Sequence, residues 1–419
     1  MKKSAIRASL ISLAVLAGLS ACGDSGSDSA SDVKLAEHVL NVPDDYATIQ
    51  EAVDAAVPGD LVLIAEGTYN EQVTVETDDV VIRGVDRNKV ILDGEYELDN
   101  GIRIVGAKGV VVENMTARNY RANGFFWTGV DGYRGSYLTA VRNGDYGVYA
   151  FDSVNGIFEH SYGGGSPDAG FYIGQCKPCN AIINDVIAEN NGLGYSGTNA
   201  SGNLVIANST FRQNRAGIVP NSLDSEKLSP QEDNIIVGNL VYSNNNGLTP
   251  AIGAAKLAMG NGILVAGGNR NQILRNRVWD HDITGIGVVP NSDKTLFWVE
   301  GNSVQENDVS DSRAADLALT ALDAKANNCF SKNVFATSKP ADIENAQPCT
   351  GTATAPFDKD PLPLAELINR VKPDSGDIKK MPDPGPQTNM PNAAKAKAVP
   401  MIGPPTPLDV ASVKLPAKP

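Results

Sequence analysis

Three aspartates and one arginine in the middle of the chain could carry acid–base chemistry. Asp145 and Asp168 are 23 residues apart, Asp152 lies between them, and Arg215 follows. Stacked carboxylates repel each other unless a raised pKa, a cation such as Ca²⁺ or an arginine neutralises them. A carboxylate pair beside a cationic group could remove the C5 proton of a uronic acid, as β-elimination and epimerisation require. We predict that these four residues are catalytic; the alternative is that each aspartate is an ordinary turn residue.

Aromatic and amide side chains recur in the same part of the chain. Phe126, Tyr149 and Tyr172 follow one another at intervals of 23 residues. Their flat apolar faces suit the C–H face of a sugar ring, although such a stack could instead simply stabilise neighbouring strands. Three amides are predicted to bind the same substrate: Gln175, Asn199 and Asn221.

A glycine followed by an apolar residue marks a repeat that would bring these side chains together. The steps between successive glycines are 23, 23, 23, 24, 23, 45 and 23 residues, at Gly101, Gly124, Gly147, Gly170, Gly194, Gly217, Gly262 and Gly285. Each unit alternates apolar and polar residues, which indicates strands, and 23 residues hold only a coil of short strands. The pattern predicts a parallel β-helix whose coils stack strand over strand, about 4.8 Å apart.

The repeat also assigns residues to columns. The residue two places after each glycine should point outward, because its neighbours are apolar and point inward. This column contains Arg103, Phe126, Tyr149, Tyr172, Ser196, Val219, Leu264 and Gly287. The step of 45 predicts one coil with extra loops at about 222–233 and 247–260.

Asparagines recur at the turns and should hydrogen-bond to the next coil, some of them in the left-handed conformation. They are Asn114, Asn184, Asn208, Asn239, Asn276, Asn302 and Asn333.

Residues 44–57 are predicted to form a capping helix that begins at Asp44 or Asp45. The stretch from Ile49-Gln50-Glu51-Ala52-Val53 through Pro58-Gly59-Asp60 to Glu66-Gly67-Thr68-Tyr69 resembles the opening of pectin-lyase-like right-handed parallel β-helix proteins. The resemblance, together with the coils, covers residues 40–350. This superfamily contains lyases, hydrolases, esterases, epimerases, adhesins and maturation factors, so it implies the fold and not one activity.

Resemblance to particular members is more limited. Tyr146-Gly147 with Asp152 is similar to the start of the mannuronan epimerase site, but no Pro-His-Asp follows. The segment 166–175 resembles exported β-helix-repeat proteins of unassigned role. An enzyme of this kind would be a polysaccharide lyase or epimerase-like, but the sequence does not decide whether there is an activity.

The N-terminus predicts export with a lipid anchor. Residues 1–21 have a basic start and a short apolar stretch, and Leu19-Ser20-Ala21-Cys22 resembles a bacterial lipobox. Cys22 would be lipidated, and residues 22–39 would be a flexible tether at the cell envelope. In an exported chain the other four cysteines suggest disulfides, most simply Cys176–Cys179 and Cys329–Cys349. The Cys176-x-x-Cys179 pair could alternatively handle a metal.

The composition limits the partners. The formal net charge is -14, which argues against nucleic acid and disfavours acidic polysaccharides unless a divalent cation intervenes. From Pro356 onward, 14 of the 24 prolines fall in 64 residues, so 351–419 is predicted to be a disordered tail. Two kinds of function fit: a polysaccharide-binding or polysaccharide-modifying envelope protein, or a non-catalytic scaffold or adhesin for another envelope protein. A metal-site maturation factor is a third.

Overall fold

The computed structural model describes residues 38–358 and 373–419. The predicted signal peptide, the lipidation site Cys22 and nearly all of the tether lie outside these residues. Among the residues described, no helix is both long enough and apolar enough to cross a membrane.

The chain from Val39 to Lys339 winds into a parallel β-helix, as the repeat predicts. Each central coil contributes two strands to one long sheet and one strand to another. The first sheet has 20 strands: Val39–Val42, Leu61–Ile64, Gly67–Tyr69, Val81–Gly84, Val90–Asp93, Lys108–Arg118, Asp131–Val141, Val154–Glu159, Tyr162–Gly164, Ala181–Asn184, Ile187–Glu189, Ser201–Ala207, Thr210–Arg212, Glu232–Val237, Leu240–Tyr242, Gln272–Leu274, Arg277–His281, Ser303–Gln305, Asp308–Ser312 and Cys329–Ser331.

The second sheet carries the predicted outward column. Its 11 strands are Val73–Val75, Asn100–Val105, Asn123–Thr128, Tyr146–Phe151, Ala169–Gly174, Leu193–Thr198, Ala216–Asn221, Ile263–Ala266, Thr284–Val289, Ala315–Leu319 and Ser338–Lys339. Tyr149 pairs with Phe126 on one side and with Tyr172 on the other, which confirms the column register. A separate antiparallel hairpin is formed by Asn291–Ser292 and Leu296–Phe297.

The repeating glycines are required by the close approach of successive coils. A Cβ atom on Gly147 would lie 2.6 Å from the carbonyl oxygen of Gly170, and one on Gly194 would lie 2.7 Å from that of Gly217. A residue with a Cβ would collide there, so the recurrence of glycine at this position marks the length of each coil in the sequence.

Asparagines join the coils in two ways. Of the seven asparagines named above, Asn114 and Asn208 have positive φ angles, at 57° and 50°. Asparagines also form ladders, buried except at Asn333, in which each side-chain amide donates to the asparagine of the next coil: Asn239 to Asn276 to Asn307 to Asn333, and Asn271 to Asn302 to Asn328. The prediction of coil-to-coil hydrogen bonds is confirmed, but the left-handed conformation applies to only some of these residues.

Helices cover parts of the solenoid. The N-terminal helix spans Ile49–Ala55 and begins at Thr48, whose side chain accepts from the Glu51 amide while Glu51 caps in return. The prediction of Asp44 or Asp45 as the cap is therefore wrong, because Thr48 and Glu51 form a complete capping box. Within the described residues, the other helices are Gly253–Leu257 and Ile343–Ala346, with 3₁₀ turns at Ala324–Ala326, Ile378–Lys380 and Val410–Ser412.

Both predicted disulfides are present, at Cys176–Cys179 and Cys329–Cys349. Cys176 and Cys179 lie in the interior, with 2% and 0% of their surface exposed.

The step of 45 residues is a single coil with two insertions. Ile218 pairs directly with Ile263 in the second sheet. Residues 222–231 form the first loop, and residues 243–262 form the second loop, which contains the helix Gly253–Leu257.

Residues 373–419 differ from the prediction of a disordered tail, whereas residues 359–372 lie outside the described residues. Residues 373–419 lie along the coils, and their main-chain carbonyls accept hydrogen bonds from arginines of the solenoid. Examples are Arg83 to Ala396 at 2.7 Å and Arg275 to Val413 at 2.9 Å. The proline-rich composition predicted disorder. It could not reveal these contacts, because the acceptors are main-chain carbonyls, which every sequence has.

Candidate functional site

Asp145 and Asp168 are neighbours on the second sheet. They precede the paired strands Tyr146–Phe151 and Ala169–Gly174, and the Asp168 amide donates to the Asp145 carbonyl at 3.1 Å. Burial raises the pKa of Asp145 to about 6. Burial, and then the charge of Asp145, raises the pKa of Asp168 to about 7, although a hydrogen bond from the Tyr146 hydroxyl acts in the opposite direction.

The aromatic side chains form a cluster beside these carboxyl groups. The Tyr149 ring is stacked between Phe126, at 4.6 Å, and Tyr146, at 4.2 Å. Tyr172 meets Tyr149 edge-on at 4.8 Å. Tyr149 is partly exposed, whereas only 1% of Tyr172 is exposed. Phe126 and Tyr146 are also partly exposed, so the three stacked rings together offer an apolar surface, and Tyr172 lies buried against Tyr146 and Tyr149.

The first loop adds a third carboxyl group, Glu226, which the repeat did not reveal. The Tyr172 hydroxyl donates to Glu226 Oε1 at 2.6 Å, while Oε2 is buried and has no hydrogen-bond partner among the described residues. Burial raises the pKa of Glu226 to about 7; the Tyr172 hydrogen bond lowers it and the charge of Asp168 raises it. A residue in an insertion belongs to no column, so the 23-residue spacing could not place it.

Two predicted substrate-binding amides hold the first loop in place. The Asn199 side chain donates to the carbonyls of Leu223, Glu226 and Lys227 at 2.8, 3.0 and 3.1 Å. Gln175 Oε1 accepts from the Lys227 amide at 2.9 Å. Both side chains are buried, so their hydrogen bonds position Glu226.

An apolar groove continues the column beyond the carboxyl groups. The groove has a volume of about 270 Å³ and lies between the two loops and the hairpin; Val219, Leu257, Leu264 and Val289 line it. Asn221, also predicted to bind substrate, lies in its wall and accepts from Thr198 Oγ1 at 3.0 Å.

Two predicted catalytic residues lie outside this cluster. Asp152 is exposed at the turn after its strand, with a φ of 51°. Arg215 is buried, and its guanidinium donates to the carbonyls of Gly247, Thr249, Pro373 and Asp374. The expectation that Arg215 neutralises the carboxylates is wrong in this structure, because the second loop and the tail occupy its donors.

The possible role of calcium stays a prediction. Within residues 38–358 and 373–419, no group of three or more His, Cys, Asp or Glu side chains is arranged to hold a metal ion.

We use the name acidic–aromatic cleft for Phe126, Asp145, Tyr146, Tyr149, Asp168, Tyr172 and Glu226. Its carboxyl groups have pKa values near neutrality, so they can hold or exchange protons at physiological pH. The partly exposed rings of Phe126, Tyr146 and Tyr149 together offer an apolar surface next to them.

The fold and the cleft define a parallel β-helix protein with a loop-bordered site on its second sheet. The profile of the family described as "Right handed beta helix region" matches residues 100–309, half of the chain. The chain belongs to this family.

Solved structures of other proteins have a similar fold. No curated protein matches the sequence. The A-module of mannuronan C-5 epimerase AlgE6 from Azotobacter vinelandii is 16% identical, over 70% of this chain and 83% of that one, with a TM-score of 0.51. A rhamnogalacturonan lyase is 12% identical, over 68% of this chain and 82% of that one, with a TM-score of 0.50.

Proposed function

We propose that this protein binds a polysaccharide at the acidic–aromatic cleft. The observation that carries the proposal is the stack of the partly exposed Phe126, Tyr149 and Tyr146 rings, with Tyr149 at its centre and the carboxyl groups of Asp145, Asp168 and Glu226 beside it. Aromatic faces bind the apolar faces of sugars, and the adjacent carboxyl groups hydrogen-bond to hydroxyls in either protonation state. The two structural neighbours, named for enzymes of polysaccharides, support the proposal through a shared fold only.

Proton transfer to a bound sugar is a further step of the proposal. Asp168 and Glu226 have pKa values of about 7, so a fraction of each is protonated and a fraction ionised near neutral pH. Such groups suit a general acid or a general base. A uronic acid would bring a further negative charge, and Arg103, whose guanidinium lies 5.9 Å from the Phe126 ring, is the cation in the same column.

Binding is tested with the substitution Tyr149→Ala. We expect the parent protein to bind at least one member of a panel of neutral, uronate-containing and amino-sugar polysaccharides in affinity electrophoresis. Loss of the stacked ring should weaken that binding by about tenfold, roughly 1.4 kcal/mol.

The matched control is Tyr242→Ala. Tyr242 also stacks in a pair, on Trp279 at 4.3 Å, but it belongs to the first sheet. Retention of full affinity by Tyr149→Ala, or an absence of binding across the whole panel, would refute the proposal.

We also propose that the protein is exported and anchored through a lipid on Cys22, supported by the sequence of residues 1–22. Cells fed a clickable fatty acid should label the parent protein, whereas Cys22→Ala should stay unlabelled. Equal labelling of the two would exclude this anchor.

A role as a metal-site maturation factor would need accessible thiols, whereas Cys176 and Cys179 are joined in a buried disulfide.

A further inference from the structure

The second loop forms one wall of the acidic–aromatic cleft. In its helix, Ala255 is completely buried against the second sheet, in a cluster that includes Ala169 and Leu193. The space where Gly253 would carry a Cβ lies 3.9 Å from Asp168 Oδ2. Tyr146 packs against the same apolar cluster. The position of this helix therefore determines the surroundings of Asp168 and Tyr146.

The start of the tail holds this loop. Arg215 is completely buried and links the two segments, donating to Thr249 at 2.9 Å and to Pro373 at 2.9 Å. The Ala251 amide donates to Ser375 Oγ at 2.8 Å, and the Gly376 amide donates to the Thr249 carbonyl at 3.0 Å.

The contact between residues 373–376 and the second loop is close as well as polar. A Cβ on Gly376 would lie 1.9 Å from the Leu248 carbonyl oxygen, and a Cβ on Gly247 would lie 2.5 Å from Pro373 Cγ. Arginine suits this position because its planar group presents five donors in a fixed fork, so that one side chain can join several carbonyls.

We infer that residues 373–376 and Arg215 form a latch that fixes the second loop and thereby the wall of the cleft. Arg215 is then a positioning residue, because its guanidinium donates to the second loop and to the tail and acts on the cleft through that loop. The effect on ligand binding rests on the proposed function, whereas the effect on the loop does not.

The test is Gly376→Val in the full-length protein, because the added side chain would collide with Leu248 without altering the coils. Hydrogen–deuterium exchange should show about tenfold faster exchange of the Ala251 and Ile252 amides, since these two amides bond to Ser375 and to the Pro167 carbonyl. Affinity for the polysaccharide that the parent binds should fall by about tenfold.

The matched control is Gly385→Val, also in the tail, where a Cβ would meet no atom of the described residues within 4 Å. It should leave both measurements unchanged. A second variant, Ser375→Ala, removes the acceptor of the Ala251 amide and should accelerate its exchange without steric conflict.

The outcomes separate the two proposals. Unchanged exchange in Gly376→Val and Ser375→Ala would overturn the latch, whatever the binding result. Faster exchange with unchanged affinity would overturn the coupling between the latch and the cleft. If the parent binds no polysaccharide, the proposed function fails while the exchange data still decide the latch.

Discussion

The three carboxyl groups of the cleft make stability depend on pH in an unusual direction. Burial is the main cause that raises the pKa of Asp145 to about 6 and the pKa values of Asp168 and Glu226 to about 7. In the unfolded chain such groups titrate near pH 4. Between pH 4 and pH 7 the folded form therefore binds more protons than the unfolded form. Their contribution consequently favours folding below about pH 4 and becomes unfavourable as the pH rises to 7.

Replacing Asp168 with Asn removes the ionisable carboxyl group and keeps a polar side chain of similar size and shape. We expect Asp168→Asn to be more stable than the parent at pH 8 by about 2 kcal/mol and close to it at pH 4.5, because the buried charge is absent. Urea unfolding at the two pH values measures this difference. The control is Asp152→Asn, at the exposed turn after the strand that follows Asp145. Parallel pH dependence in Asp168→Asn and the parent would contradict the raised pKa.

For individual residues, the 23-residue repeat predicted the position along the coils better than it predicted the atoms that each side chain contacts. Asp145, Asp168 and Tyr149 were found because each occupies a column that the 23-residue spacing defines. Arg215 follows the same spacing, but an insertion supplies the carbonyls that capture its side chain. Glu226 lies in the other insertion, the first loop, so the 23-residue spacing gives no signal for it.

Among the elements, the asparagine ladders show how the coils are joined. The Asn276 side chain donates to the Ile236 carbonyl at 2.9 Å and to Asn307 at 3.0 Å, and it accepts from Asn239. The group is completely buried, so each partner would lose one of its hydrogen bonds if the amide were removed.

Asn276→Ala should therefore destabilise the protein by about 2–4 kcal/mol, since several buried polar groups each lose one hydrogen bond. Chemical denaturation measures the change. Asn245→Ala is the matched control, because Asn245 is partly exposed and makes one long hydrogen bond, to Asp280 at 3.4 Å. Equal stability of the two variants would show that the ladder adds little.

The elements themselves were largely predictable. Alternation identified the strands, and the glycines identified the coil length because only glycine tolerates the contact between coils. The cap of the first helix was assigned wrongly because two aspartates and Thr48 all have suitable side chains. Only the structure shows which of them accepts from the helix amide.

On the scale of the whole molecule, the tail after the latch forms a strap, residues 377–419, along the first sheet. Ala398 is buried against Leu61, Val81 and Val111. Val413 is buried against a second apolar patch, many coils away, that contains Ala207 and Val237. The strap therefore ties together coils that the solenoid connects only through their neighbours.

A chain that ends at Gly376 keeps the latch and loses the strap. We expect this variant to unfold at a lower temperature and to bind the dye ANS more strongly, because the two patches covered by Ala398 and Val413 lose apolar cover. Calorimetry and dye fluorescence measure the two effects. Ile402→Ala provides the control, since 76% of Ile402 is exposed within the same strap and its side chain covers little.

The same variant separates a structural strap from a passive tail. If the strap couples distant coils, its loss should accelerate amide exchange around both patches, while the Ala251 amide, which bonds to Ser375, stays protected. A passive tail would leave melting, dye binding and exchange as they are in the parent. The strap accepts hydrogen bonds largely through its main-chain carbonyls. Its contribution to stability therefore depends on the path of the backbone. A proline-rich composition suits this role, because extended backbone leaves those carbonyls free to accept.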